Sequence, residues 1–73
     1  MWVIYSTVKH TFIGIDPGSG GCSFYTEWLG NAKLWSKKNE WVSYMEVYAT
    51  DAVEYNWVVL PVIVDYSSIV KGD

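Results

Sequence analysis

Asp16 sits in the densest cluster of turn-forming residues in the chain, Asp16-Pro17-Gly18-Ser19-Gly20-Gly21, directly after the apolar stretch Phe12-Ile13-Gly14-Ile15. A carboxylate at the end of a strand can hold a divalent cation when other carboxylates converge on it. Glu46, Asp51, Glu54 and Asp65 are available, but nothing in their spacing places them around Asp16. The glycines could instead cradle a phosphate with backbone N–H groups. Yet Gly20-Gly21 leads into Cys22-Ser23 with no Lys and no helix start, so neither nucleotide-loop pattern is met. Asp-Pro-Gly is also ordinary turn chemistry. His10 and Cys22 are the one nucleophile–base pair, with no third group at a recognisable spacing to orient them. One His and one Cys make no zinc site. Lys33, Lys37 and Lys38 gather near Ser36, where an anion could meet a helix start, or where charge simply keeps the chain in solution. No catalytic set, metal site or cofactor is expected.

The elements that position these residues follow from periodicity. Residues 2–8 and 11–15 read as an antiparallel strand pair broken at Lys9-His10. In the first, Trp2, Ile4 and Ser6 share one face, and Val3 and Tyr5 the other. Residues 22–29 alternate weakly, and Ala32 to Trp35 suit a short strand. Residues 37–50 carry Trp41, Tyr44, Met45 and Tyr48 at i, i+3, i+4 and i+7, which predicts a helix with Ser36 as its N-cap. Residues 56–64 read as a final strand, with Trp57 and Val59 on one face and Val58 and Leu60 on the other. Pro61 suits an edge strand. The expected fold is α+β: a small antiparallel sheet of three or four strands with one helix packed on it. Residues 1–65 would form one compact domain and 66–73 a frayed tail. The last strand is apolar on both faces, so a second copy is expected to cover the face the helix leaves open, giving a homodimer.

Composition narrows the function classes. The 73 residues include five Lys, no Arg and eight acids, for a net charge of −3. That balance argues against direct nucleic-acid binding, which needs a basic face. The longest apolar run, Trp57 to Val64, falls far short of the ~20 residues that span a bilayer. With no leader-like start and a single Cys, a cytoplasmic location without membrane association is expected. Aromatic residues make up 18% of the chain, with five Trp and six Tyr, more than so small a core can enclose. Exposed Trp and Tyr belong to contact surfaces. Residues 39–70 carry five acids and no Lys, so the helix region is acidic and could steer a basic partner. The expected partner-binding residues are Trp28, Trp35, Tyr55 and Trp57, with Glu46, Asp51 and Glu54 steering the encounter. Trp41, Met45 and Tyr48 are assigned to the core.

Two resemblances add to this. The stretch Phe12 to Gly21, with its Ile13-Gly14-Ile15-Asp16-Pro17-Gly18, resembles the first strand of RuvC-like and other RNase H-fold nucleases. That likeness would make Asp16 a metal ligand in a nuclease fragment, although such a fold needs about twice this length. Over residues 2–65 the layout is similar to small early proteins of bacteriophages. It runs from a short hairpin through Ile13-Gly14-Ile15-Asp16, Ser19-Gly20-Gly21 and Phe24-Tyr25 to Asn31-Ala32-Lys33-Leu34-Trp35-Ser36. The segment Glu40-Trp41-Val42-Ser43-Tyr44-Met45 and a closing apolar strand follow. This resemblance implies a host-takeover or anti-defence factor, not an enzyme. It would act in the host cytoplasm by binding and blocking a host protein such as RNA polymerase, a sliding clamp or an immune effector. The remaining alternative is a self-assembling structural protein.

Overall fold

The computed structural model describes residues 1–16, 18 and 20–63. Runs rich in β-branched and aromatic residues form four strands: β1 (Trp2–Ser6), β2 (Thr11–Asp16), β3 (Cys22–Thr26) and β4 (Trp57–Pro61). A 3-10 turn (Leu29–Asn31) and two helices, α1 (Lys38–Val47) and α2 (Ala49–Glu54), lie between β3 and β4. The strands form one antiparallel sheet in the order β3-β2-β1-β4. The fold is therefore the α+β class read from the sequence, with the larger of the two expected strand numbers. No helix among the described residues is long and apolar enough to cross a membrane. Val64 and the tail expected over 66–73 lie outside the described residues.

Local chemistry moves several boundaries. The first strand stops at Ser6, because Thr7 to His10 make the turn and His10 takes a left-handed φ of 56°. The third stops at Thr26, whose hydroxyl accepts the Trp28 N–H at 3.1 Å. The helix starts from Lys37, not Ser36, and has no side-chain cap. The reason is upstream: Trp35 exchanges both backbone bonds with Trp2 at 2.8 Å, which holds the chain extended past Ser36. The expected single helix breaks at Tyr48 and resumes as α2.

The register decides what each face buries. Ser6 pairs with Trp57, Ile4 with Val59 and Ile13 with Tyr25, so these side chains share one face. Trp41, Tyr44 and Met45 of α1, with Ala52 of α2 and Tyr55 after it, pack there around Ile4, Ile13, Trp35 and Trp57. Val3, Tyr5, Phe12, Phe24, Val58 and Leu60 line the other face, which neither α1 nor α2 covers, although Val3 is buried there. Tyr5 and Phe12 meet edge to face there, ring centres 5.1 Å apart.

One crossing connects the two faces. After β3 the chain passes over Gly14 on the open face, where a side chain would collide with the Asn31 carbonyl and the Phe24 ring. Lys33 then gives its N–H to the Ile13 carbonyl at 3.0 Å, and Trp35 pairs with Trp2. The chain thus enters the gap where β1 and β2 splay beyond the Tyr5–Phe12 pair, and leaves towards α1 on the covered face.

The far end of the sheet is tied by Ser6. Its hydroxyl donates to the Tyr55 carbonyl at 2.7 Å and accepts the Lys9 N–H at 3.1 Å. Asn56, at a left-handed φ of 46°, donates its side-chain amide to Thr7 Oγ1. The β1–β2 turn and the end of α2 are thereby held together.

Candidate protein-docking surface

The sequence-expected contact residues separate into two groups. Trp35 and Trp57 are core residues, 7% and 9% exposed, and are corrected here: neither indole can reach a partner without unfolding. Trp35 is drawn in by its pairing with Trp2, and Trp57 by its place opposite Ser6 on the covered face. Trp28 is 70% exposed. Tyr55 and Asp51 are half-buried, while Glu46 and Glu54 are exposed on the helices. Of the residues assigned to the core, Trp41 and Met45 pack against it, whereas Tyr48 is exposed at the helix break.

Trp28 is held as well as exposed. Its N–H bonds to the Thr26 hydroxyl, and its carbonyl accepts the Asn31 N–H at 3.0 Å, closing the 3-10 turn. The backbone is fixed while the indole stands in water. Leu29 beside it is exposed, as are Phe24 and Tyr25 on β3 and Leu34 beyond the turn. A large apolar ring on a fixed backbone loses little entropy on binding, which is the character of an interface anchor. Sequence reasoning singled out Trp28 but missed the exposed Leu29 and Phe24. Their one available signal was weak alternation beside a glycine-rich turn.

A second cluster lies at the same end of β3, on the covered face. Tyr25 and Tyr55 meet edge to face at 5.8 Å, and Lys9 Nζ lies 4.7 and 4.8 Å from their ring centres. Burial pushes the Tyr25 hydroxyl above its ordinary value; Trp57 opposes this, and the negative charges of Asp51 and Glu54 add to it. The structure brings Tyr55, at the end of α2, to this place.

Under the helices, Tyr44 stacks on Trp57, ring centres 6.1 Å apart, and also meets Trp35 at 5.1 Å. Its hydroxyl finds no hydrogen-bond partner among the described residues; Ser23 is close but lacks bonding geometry. Burial raises the Tyr44 hydroxyl above its ordinary value of 10.0, with Ser23 lowering it and Tyr48, Tyr25 and Asp51 raising it further. The neutral phenol is thus favoured in the folded state. Its contribution to stability is fully present below the unfolded value and is lost as pH rises through the raised one. Urea midpoints should therefore fall above pH ~10, and Tyr44→Phe should reduce that fall while leaving the midpoint at pH ~7 nearly unchanged. Equal alkaline slopes in the two proteins would remove Tyr44 from this account.

Asp16 is exposed, and its Oδ1 accepts the Gly18 N–H at 2.9 Å, which is turn chemistry. Among the described residues no three His, Cys, Asp or Glu side chains are grouped to hold a metal ion, and Asp65 lies outside them. No enclosed pocket is found among the described residues. Lys33 lies over the Trp35 ring, Nζ 5.5 Å from its centre, rather than at the start of α1. Comparison with protein-family models, curated proteins and solved structures gives no match.

Proposed function

We propose that this chain is a small acidic binding protein of the phage early type, which docks on a host protein and inhibits it. The observation that carries the reading is Trp28: 70% exposed, on a backbone fixed by bonds on both sides, with the exposed Leu29 next to it in the chain. The acids Glu46, Asp51 and Glu54 would steer the approach to a basic surface. The open sheet face, apolar through Tyr5, Phe12, Phe24, Val58 and Leu60, is self-complementary in chemistry and would make the homodimer of the same reading.

Tagged protein would be used to capture partners from bacterial lysate at low and high salt, beside Trp28→Ala. One dominant partner is expected, weakened by salt. The variant should fold normally and lose about 2 kcal/mol of affinity, roughly 30-fold. Light scattering on the same preparations reads the dimer. Undiminished capture by Trp28→Ala would refute Trp28 as the anchor, and a monomer at all concentrations would refute the dimer.

A further inference from the structure

α1 is weakly held from within. It is ten residues long, Lys38–Val47, and has no side-chain cap at its start. Lys37 and Lys38 oppose the helix dipole there. Asn39, Trp41, Val42, Ser43, Tyr44 and Val47 are modest helix formers. An isolated helix shorter than about 12–15 residues is marginal in water. α1 therefore depends on its contact with the sheet.

That contact is made by packing alone. Among the described residues no hydrogen bond or ion pair joins residues 38–47 to a strand. Trp41, Tyr44 and Met45 pack on the core, yet no residue of α1 is itself buried. The contact also encloses polar atoms. The Trp35 and Trp41 indole N–H groups and the Tyr44 hydroxyl have no hydrogen-bond partner among the described residues. The Tyr44 ring lies on Trp35, centres 5.1 Å apart. Polar groups closed off in this way give up water and gain no bond in return. Opening the contact hydrates all three.

α2 is anchored where α1 is not. The Ser6 hydroxyl donates to the Tyr55 carbonyl at 2.7 Å, and the Thr7 N–H to the Asn56 carbonyl at 3.2 Å. Between the helices Tyr48 leaves helical geometry, at φ −107° and ψ 36°. Ahead of α1, Lys37 is extended and Trp35 is paired with Trp2. Loss of helix in α1 thus has a boundary at each end.

We propose that α1 leaves the sheet and melts as one unit in the otherwise folded protein, while β1, β2, β4 and the end of α2 stay in place. The open form shows the Trp35 and Trp57 rings, on which Tyr44 lies in the closed form. The chain thus holds a concealed aromatic surface, separate from Trp28, whose display is set by the stability of one short helix.

The test is native-state hydrogen exchange on the whole isotope-labelled chain, at urea concentrations below the unfolding transition. Amides of residues 42–47 should exchange about 10- to 100-fold faster than those of β1, with a urea slope about half as large or less. The Trp35 and Trp41 indole protons should exchange with α1 and not with β1. Asn56→Ala removes the side-chain bond to Thr7 Oγ1 and sets Ala at a left-handed φ of 46°. It weakens the end of the sheet and leaves the α1 contact untouched. Exchange in β1 should rise about tenfold, and exchange in α1 should stay within about twofold.

One rate and one slope shared by α1 and β1 would overturn the proposal. So would equal acceleration of both by Asn56→Ala, indole protons that exchange with β1, or α1 and α2 opening together. The slopes are read on the parent chain, so they decide the matter even where Asn56→Ala destabilises the sheet beyond use.

Discussion

Trp35→Ala is expected to abolish cooperative unfolding near 25 °C, or to leave a urea midpoint close to zero. Trp35 is buried against Ile4, Ile13 and Trp57, and its ring meets Tyr44 at 5.1 Å. Truncating a buried Trp costs about 3–5 kcal/mol through lost transfer energy and the cavity left behind. A domain of this size has a total stability of roughly 4–11 kcal/mol. Below roughly 70–80 residues a core rarely supplies more than about 3–5 kcal/mol, so the loss is comparable to what holds the chain folded. Trp28→Ala is the matched control, since the same ring is removed from a solvent-exposed position, and its midpoint should barely move. Circular dichroism during urea titration reads both. A Trp35→Ala protein with a midpoint near that of the parent would mean that the crossing segment does not hold this indole in the core.

Gly14→Ala is expected to cost about 2–3 kcal/mol, a large effect for one methyl group. An added Cβ would stand 2.5 Å from the end of the Phe24 ring and 2.6 Å from the Asn31 carbonyl oxygen. The ring can turn aside. The carbonyl cannot move without shifting the 3-10 turn and the Lys33 bond to Ile13, which are the steps that carry the chain into the sheet. A methyl group that elsewhere in a strand would gain stability by restricting the unfolded chain here opposes the native crossing. Gly30→Ala is the control, because nothing lies within 4 Å of its added Cβ. That change should stay within about 0.5 kcal/mol. Equal midpoints for the two variants would show that the chain does not pass over Gly14 as described. A loss in Gly14→Ala should also reduce Trp28-dependent capture, because the turn that holds Trp28 is the part displaced.

Both variants bear on what was legible beforehand. The alternation of Trp2, Ile4 and Ser6 against Val3 and Tyr5 assigned faces correctly, because side-chain direction in a strand is set by the backbone of that strand alone. The helical stripe of Trp41, Tyr44 and Met45 was visible for the same local reason, and those residues do pack on the core. Ser36 looked like a cap because its chemistry suits one. Its neighbour Trp35 is fixed by a strand 33 residues away, and no local rule reports that bond. At the candidate site, Trp28, Tyr55, Asp51 and Glu54 could be named but not arranged. That Tyr25 and Tyr55 would share Lys9 depends on how the end of α2 lies over the sheet.

The amino-acid sequence by itself determined the class of this protein, the type of its main elements, the faces of its strands and its acidic balance. These rest on backbone geometry, side-chain alternation and charge, all of which act within a few residues or need no structure at all. Tertiary structure alone decided which of the tryptophans are core and which is surface. Trp28, Trp35 and Trp57 are chemically identical and all lie near strand ends or turns. Burial goes to the two whose backbones pair with β1, and exposure to the one left on the turn that precedes the crossing. The physical reason is that burial is a property of what comes to lie on top of a residue. That is settled by pairings between segments far apart in the chain, which hydrophobicity drives but does not address.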